Sequence, residues 1–161
     1  VAQFPPRSRG WVKLNSADPM EPPKIQWNLL QDDYDLRTLR EGLKLIRKLF
    51  NQPAFEDVIQ QEASPGENIS SDGEIEEWIR SHCGTAQHPS STCRMGSDDQ
   101  AVVDDQLRVR GVEGLRVADC SVMPLLVGGN TNAPTIMIAE KASDMILGNQ
   151  PLPPAQIEIV N

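Results

Sequence analysis

Hydrophobic and polar positions alternate twice near the start of the chain and then change to a helical period. Within Ser8–Asn15, Trp11, Lys13 and Asn15 alternate with Val12 and Leu14, and Lys24–Asn28 alternates again. This predicts two short strands of one antiparallel sheet, joined through the proline-rich turn Ala17–Pro23. Asp32 and Asp33 then offer an N-cap, and a helix is predicted to about Asn51. Leu36, Leu39, Leu43, Ile46 and Phe50 fall on one stripe, with Arg37, Arg40, Lys44, Arg47 and Lys48 opposite. Burying such a stripe contributes on the order of 10 kcal/mol gross, before chain entropy is subtracted. Pro53 can open a short helix carrying Phe55, Val58 and Ile59, and Glu62–Ser71 reads as a loop. Ser71 followed by Glu74 forms a capping-box pattern. It opens a helix with Ile75, Trp78 and Ile79 inward, ending near His82 or Cys83 with Gly84 as its stop.

The second half is less periodic. Leu107–Val109 and Leu115–Ala118 read as short strands about a Gly111–Gly114 turn, with Asp119 just beyond the second. A last helix is predicted over Ala133–Leu147, with Gly148 as its stop. Its first half, Ala133–Ala139, carries no charge on any face, so it is expected to be buried all round. Its N-terminus would then point free N–H groups and positive potential inward. Asn130 or Asn132 as a cap is the minimal way to satisfy them; a bound anionic or carbonyl-rich ligand is the stronger one. The prolines between Gln150 and Asn161 predict an extended tail. The expected fold class is α+β.

Composition narrows the partners. A length of 161 residues suits one domain or a piece of a larger protein. A formal net charge of −8 argues against nucleic acid and against an anionic membrane surface. No apolar run approaches the roughly 18 residues of a membrane span, so no transmembrane segment is predicted. Cys83, Cys93 and Cys120 are an odd set with no Cys-x-x-Cys pair. That argues against a disulfide framework and against a metal site, and suggests reduced thiols in a cytosol-like, cytoplasmic compartment. The opening Val-Ala-Gln-Phe-Pro-Pro-Arg has neither an initiator methionine nor an apolar signal region, and reads as a cut through a longer chain.

The candidate chemistry centres on Thr85–Gly96, where His88 stands directly before Pro89. The proline biases His88 towards extended or turn torsions, so a loop can aim its imidazole. An isolated His-Pro is more often a surface-loop histidine with no task, and a Cys93–His88 nucleophile pair has no local support. His82, in the last turn of its helix, suits the negative end of the helix dipole. Trp11, Trp27 and Trp78 suggest cation cages, but their alternating or helical settings favour packing. Taken together, His88 on a loop, Asp119 at a strand end, and Asn130 and Asn132 at a helix start suggest a base, a polar-ligand contact and an oxyanion-side donor. Several enzyme classes would fit.

The order of these pieces resembles something more specific. Gln87-His-Pro-Ser-Ser-Thr-Cys-Arg-Met-Gly96 is followed by Ala101-Val-Val-Asp104 and by Leu107-Arg-Val-Arg-Gly-Val-Glu-Gly-Leu-Arg-Val-Ala-Asp119. Ser121-Val-Met-Pro124 and Gly129-Asn-Thr-Asn-Ala-Pro-Thr-Ile-Met-Ile-Ala-Glu-Lys-Ala142 complete the series. The series is similar to the C-terminal region of the glucose–methanol–choline (GMC) family of flavin oxidoreductases, nearest its choline and alcohol dehydrogenase branch. Ser8-Arg-Gly, Ser16-Ala-Asp-Pro and Pro23-x-Ile also fit that family's substrate domain, so the likeness runs from about Ser8 to Gly148.

The resemblance implies oxidation of a primary alcohol, choline-like or other, to an aldehyde. The family's catalytic histidine matches His88, which takes the hydroxyl proton while hydride leaves the carbinol carbon for flavin N5. The second catalytic position matches Asn130. Contacts to FAD map to Asp119, Asn130 and Asn132. The electron acceptor implied is oxygen or a quinone-type molecule. No Gly-x-Gly-x-x-Gly turn is present here, so FAD would be held mainly by an N-terminal FAD-binding region outside this sequence. The chain alone is then expected to be inactive and free of FAD, and to expose apolar surface where that region docks. Any membrane association would fall to the rest of the protein. The division expected is 1–85 as part of the substrate domain, 86–148 as the catalytic loop, strands and final helix on the FAD side, and 149–161 as tail. A non-catalytic binding module derived from such an enzyme is the alternative.

Overall fold

A computed structural model describes residues 1–155. The chain divides into two compact units, Val1–Gln87 and the chain from His88 onward. In the first unit, β1 (Trp11–Lys13) pairs antiparallel with β2 (Lys24–Gln26), Trp11 opposite Gln26 and Lys13 opposite Lys24. Gly10 precedes β1 because the backbones approach closely there: a Cβ on it would lie 2.3 Å from the Gln26 carbonyl oxygen. Trp11 and Trp27 lie on the surface of the chain, against the packing role expected for them. A sheet of two strands has no second layer of its own to cover the indoles.

Helix α1 spans Asp33–Phe50, and Asp32 caps it by accepting the Tyr34 N–H at 2.8 Å. Its basic last turn (Arg47, Lys48) and acidic first turn (Asp33, Asp35) both suit the helix dipole. A one-turn 3-10 segment follows at Pro53–Phe55. Helix α2 spans Asp72–His82 and starts with the capping box, in which Glu74 N–H donates to Ser71 Oγ and Ser71 N–H donates to Glu74 Oε2. It ends at His82, as expected, with Cys83 as the C-cap in extended torsions and its N–H bonded to Ile79 O, while Gly84 does not take the left-handed torsions of a glycine stop. The first core joins Leu36 to Ile75 and Ile79, with Leu39, Leu43 and Trp78 at its edge. Phe50 stays outside it, stacked edge-on to Phe55. Arg40 and Lys44 on α1 reach Glu76 and Asp72 on α2, so part of the basic face braces the helix pair.

Asp35 is the buried charge of this unit, 2% exposed. Gln3 Nε2 donates to Oδ1 at 2.8 Å, Arg7 N–H to Oδ1 at 2.7 Å and Ser8 N–H to Oδ2 at 2.7 Å. Burial pushes the Asp35 carboxyl upward, but these donors outweigh it and hold its pKa below the usual carboxylate range. Residues 3–8 are thereby strapped to the first turn of α1, with the Arg7 guanidinium 4.0 Å over the Tyr34 ring.

The second unit has a core of Val103, Leu107, Val122, Met123, Ile138 and Ala142. The two strands expected at Leu107–Val109 and Leu115–Ala118 are single bridges instead, Val103 to Val109 and Arg108 to Arg116. Leu107 explains why: it adopts φ +61 as its N–H bonds to Asp104 O. Asp104 Oδ1 meanwhile accepts the N–H groups of Gln106 and Arg108. The chain therefore turns where an extended run was expected. Cys120–Val122 forms one 3-10 turn.

Helix α3 spans Asn132–Leu147, and Gly148 ends it at φ +72. It is not buried all round. Ile138 and Ala142 enter the core, while Ile136 and Met137 are 54% and 56% exposed. One small core can cover only one side of a helix, so the remaining apolar surface stays open. From Asn149 to Ala155 there is no helix or strand, and the rest of the predicted tail, 156–161, lies outside the described residues.

Candidate active site

The His88 loop is held by stitches to the segment around Cys120. Ser91 N–H donates to Cys120 O (3.4 Å), Cys93 N–H to Ser121 O (3.0 Å) and Met95 N–H to Val122 O (2.8 Å). The Cys120 thiol donates to the carbonyl of Pro89, next to His88, at 3.2 Å. Ser91, at φ +69, turns the chain just after the histidine. Cys93 and Cys120 thus sit in the scaffold that carries His88.

The half-buried imidazole meets the start of α3. His88 Nε2 lies 3.3 Å from Asn130 Oδ1, and Nδ1 lies 3.4 Å from Thr131 Oγ1. These partners are 42 and 43 residues away in sequence. A neutral imidazole has one N–H and one lone pair, whereas the amide and the hydroxyl each have both donor and acceptor capacity. With Oδ1 facing the ring, the tautomer that carries its proton on Nε2 is satisfied at both nitrogens, whereas the Nδ1–H tautomer needs the Asn130 amide turned to offer Nδ2 to Nε2. An imidazolium is satisfied too, donating to Asn130 Oδ1 and Thr131 Oγ1. A group that must gain and lose a proton needs this kind of setting.

The other residues singled out from the sequence are placed differently. Asp119 is the N-cap of the 3-10 turn, where its carboxylate accepts Ser121 N–H at 2.7 Å and stays exposed. Asn132 is the first residue of α3 and is exposed. Neither it nor Asn130 caps the helix. The N-cap is Thr131, with φ −82 and ψ −8, and its side chain makes no capping hydrogen bond. No acidic side chain occupies the first turn. The positive end of α3 is thus available to an electron-rich ligand edge.

Thr131 is the site residue that sequence reasoning missed. A threonine between two asparagines at a helix start reads only as a cap, and the sequence carries no sign that its hydroxyl turns to a histidine. His82 is structural, as its helix-end position suggested. Its ring stacks on Trp78 with centroids 4.5 Å apart, and Nδ1 lies 2.9 Å from the Trp78 carbonyl oxygen. Among the described residues no helix is long and apolar enough to cross a membrane.

The family model for GMC oxidoreductase matches residues 6–139. The chain belongs to the GMC oxidoreductase family. An oxygen-dependent choline dehydrogenase of Pseudomonas aeruginosa (strain UCBPP-PA14) is 53% identical over 146 residues, which cover 91% of this chain and 26% of that protein. One from Vibrio vulnificus (strain YJ016) is 46% identical over 156 residues, covering 96% of this chain and 28% of that protein. Among solved structures, a formate oxidase of Aspergillus oryzae RIB40, described with its FAD modification, matches with a TM-score of 0.81 and 37% identity. That match covers 86% of this chain and 24% of the other. Pyridoxine 4-oxidase from Mesorbium loti matches with a TM-score of 0.82 and 31% identity, over 90% of this chain and 28% of its own. This GMC chain spans about a quarter of the length of the curated relatives it matches. Its α+β fold, with three helices and a two-stranded antiparallel sheet among the described residues, is the fold of a GMC C-terminal region.

Proposed function

We propose that this chain carries the base and the oxyanion-side donor of an FAD-dependent enzyme that oxidises a primary alcohol to an aldehyde. The observation that carries the reading is the approach of His88 Nε2 to the Asn130 amide at 3.3 Å. It puts a proton acceptor and a neutral dipole side by side on the surface of the second unit. The choline dehydrogenases among the relatives favour a choline-like alcohol, and their description as oxygen-dependent favours oxygen as electron acceptor.

An alcohol oxygen placed beside His88 and Asn130 gives its proton to Nε2, and the electron pair of the broken O–H bond stays on the oxygen. A positioned base matters because hydride leaves an alkoxide far more readily than a neutral alcohol. The Asn130 side chain supplies a fixed donor to the developing negative charge, at little cost in reorganisation. FAD, when bound, supplies the hydride acceptor at N5. The residues present fit that group: the open end of α3 favours negative charge, and the exposed Asn132 amide and Asp119 carboxylate offer polar contacts. Most of the flavin site, and the wall that selects the alcohol, would come from the N-terminal FAD-binding region of the same protein.

The test is anaerobic mixing of the full-length protein with a panel of primary alcohols, with flavin absorbance as the readout. Bleaching by a choline-like alcohol is expected. A preparation that carries FAD and is bleached by no alcohol overturns the proposal. In the same assay Asn130→Ala slows bleaching, but by less than loss of His88. Unchanged bleaching by that variant would remove Asn130 from the chemistry.

A further inference from the structure

Thr131 is an N-cap threonine whose hydroxyl does not cap. Threonine at this position ordinarily takes extended torsions, and its oxygen accepts an N–H two or three residues on. Here the residue is already helical in its torsions, and no capping hydrogen bond is made. The helix draws on the Thr131 backbone instead, whose carbonyl accepts Thr135 N–H at 3.0 Å and Thr135 Oγ1–H at 2.6 Å. The side chain is 8% exposed as a residue, and Oγ1 stands 3.4 Å from His88 Nδ1. A β-branched side chain has few χ1 choices, so the direction of the hydroxyl is set by the helix start.

We infer that Thr131 is a positioning residue for His88, its hydroxyl holding Nδ1 so that Nε2 faces the alcohol beside Asn130. The inference rests on the reading of His88 as the base. The hydroxyl can do what no carbonyl or ammonium could. It donates to Nδ1 when that nitrogen carries a lone pair, and it accepts when Nδ1 carries a proton. Transfer of the alcohol proton to Nε2 requires the tautomer protonated at Nδ1, in which Nδ1–H donates to Thr131 Oγ1. In the imidazolium that results, Nδ1–H still donates there, and the bond gains strength from the positive charge. Nε2 and Asn130 meet the substrate, while Nδ1 and Thr131 face the start of α3. One short segment, Asn130–Thr131, thereby addresses both nitrogens of one ring.

The experiment compares Thr131→Val, Thr131→Ser and His88→Ala in the full-length protein. Thr131→Val keeps the branched shape and loses the hydroxyl. It is expected to lower kcat on the order of tenfold, as loosened alignment of a reacting group does, with KM changed by less than about twofold. Its melting temperature stays at the wild-type value, because no helix N–H loses a partner. Thr131→Ser restores kcat to within about threefold of wild type. A readout independent of turnover is the nitrogen-15 signals of the His88 ring, identified by their loss in a histidine-to-asparagine variant at that position. They change tautomer balance in Thr131→Val and return in Thr131→Ser. Wild-type kcat in Thr131→Val, with His88→Ala still inactive, overturns the inference and leaves the base reading standing. A lowered melting temperature in Thr131→Val, or failure of serine to rescue, assigns Thr131 to the helix and also overturns it. Near-normal turnover by His88→Ala overturns the base reading itself, and any part of Thr131 in turnover with it.

Discussion

Replacing His88 with alanine lowers turnover of the full-length protein by roughly 10²–10⁴-fold, the range expected for loss of a positioned general base. The expectation follows from where the ring sits. It is half-buried on a loop stitched to residues 120–122, with the Asn130 amide and the Thr131 hydroxyl against its two nitrogens. Alanine removes the imidazole, and neither the Asn130 amide nor the Thr131 hydroxyl is a base that could replace it. The loss falls on kcat and kcat/KM together, because the interaction removed belongs to the transition state and not to substrate binding. Steady-state rates across a range of alcohol concentrations check this. A variant within about threefold of wild type would show that another group takes the proton.

The second large effect is on stability. Asp35→Ala removes the acceptor that Gln3, Arg7 and Ser8 share, and leaves two backbone N–H groups without their partner. Hydrogen bonds to a charged group contribute about 1.5–3 kcal/mol each, partly offset by the cost of keeping the carboxylate out of water, so a net loss of about 3 kcal/mol is expected. Amide exchange over residues 3–9, followed by mass spectrometry of the full-length protein, should quicken at least tenfold. Exchange at the wild-type rate would mean that other contacts hold the strap.

The same carboxylate predicts a pH dependence. Its folded pKa lies below the ordinary 3.8, so its stabilisation is complete above that value. It is lost as the pH falls through 3.8 towards the lower folded value. Unfolding by urea at pH about 6 and pH about 3 separates this group from the other carboxylates. The wild type weakens more on acidification than Asp35→Asn does. Equal weakening of the two proteins would show that Asp35 does not titrate differently in the folded state.

Much of the first unit is legible in the sequence because its signals are local. The stripe of α1, the Asp32 cap and the Ser71–Glu74 box each rest on residues within one or two turns of one another. The departures come from residues whose partners are distant. Leu107 turns the chain where alternation promised a strand, and Phe50 and Trp27 extend apolar patterns onto surfaces this chain does not cover. The start of α3 is apolar on every face, but being apolar is not the same as being covered. Periodicity counts the apolar face without supplying its neighbour.

Sequence alone determined that His88 precedes a proline in a long collinear series shared with GMC oxidoreductases and that helices begin near residues 33, 72 and 132; the likeness matches Asn130 to that family's second catalytic position. Only the tertiary structure decided that His88 and Asn130 come within 3.3 Å, that Thr131 turns its hydroxyl from the helix to the imidazole, and that Asp35 gathers the N-terminal strap. The reason is physical. Helix periods and caps are set by interactions among neighbours along the chain, whereas these three contacts link residues 27 to 43 positions apart. No local rule encodes such a distance; the packing of a core does.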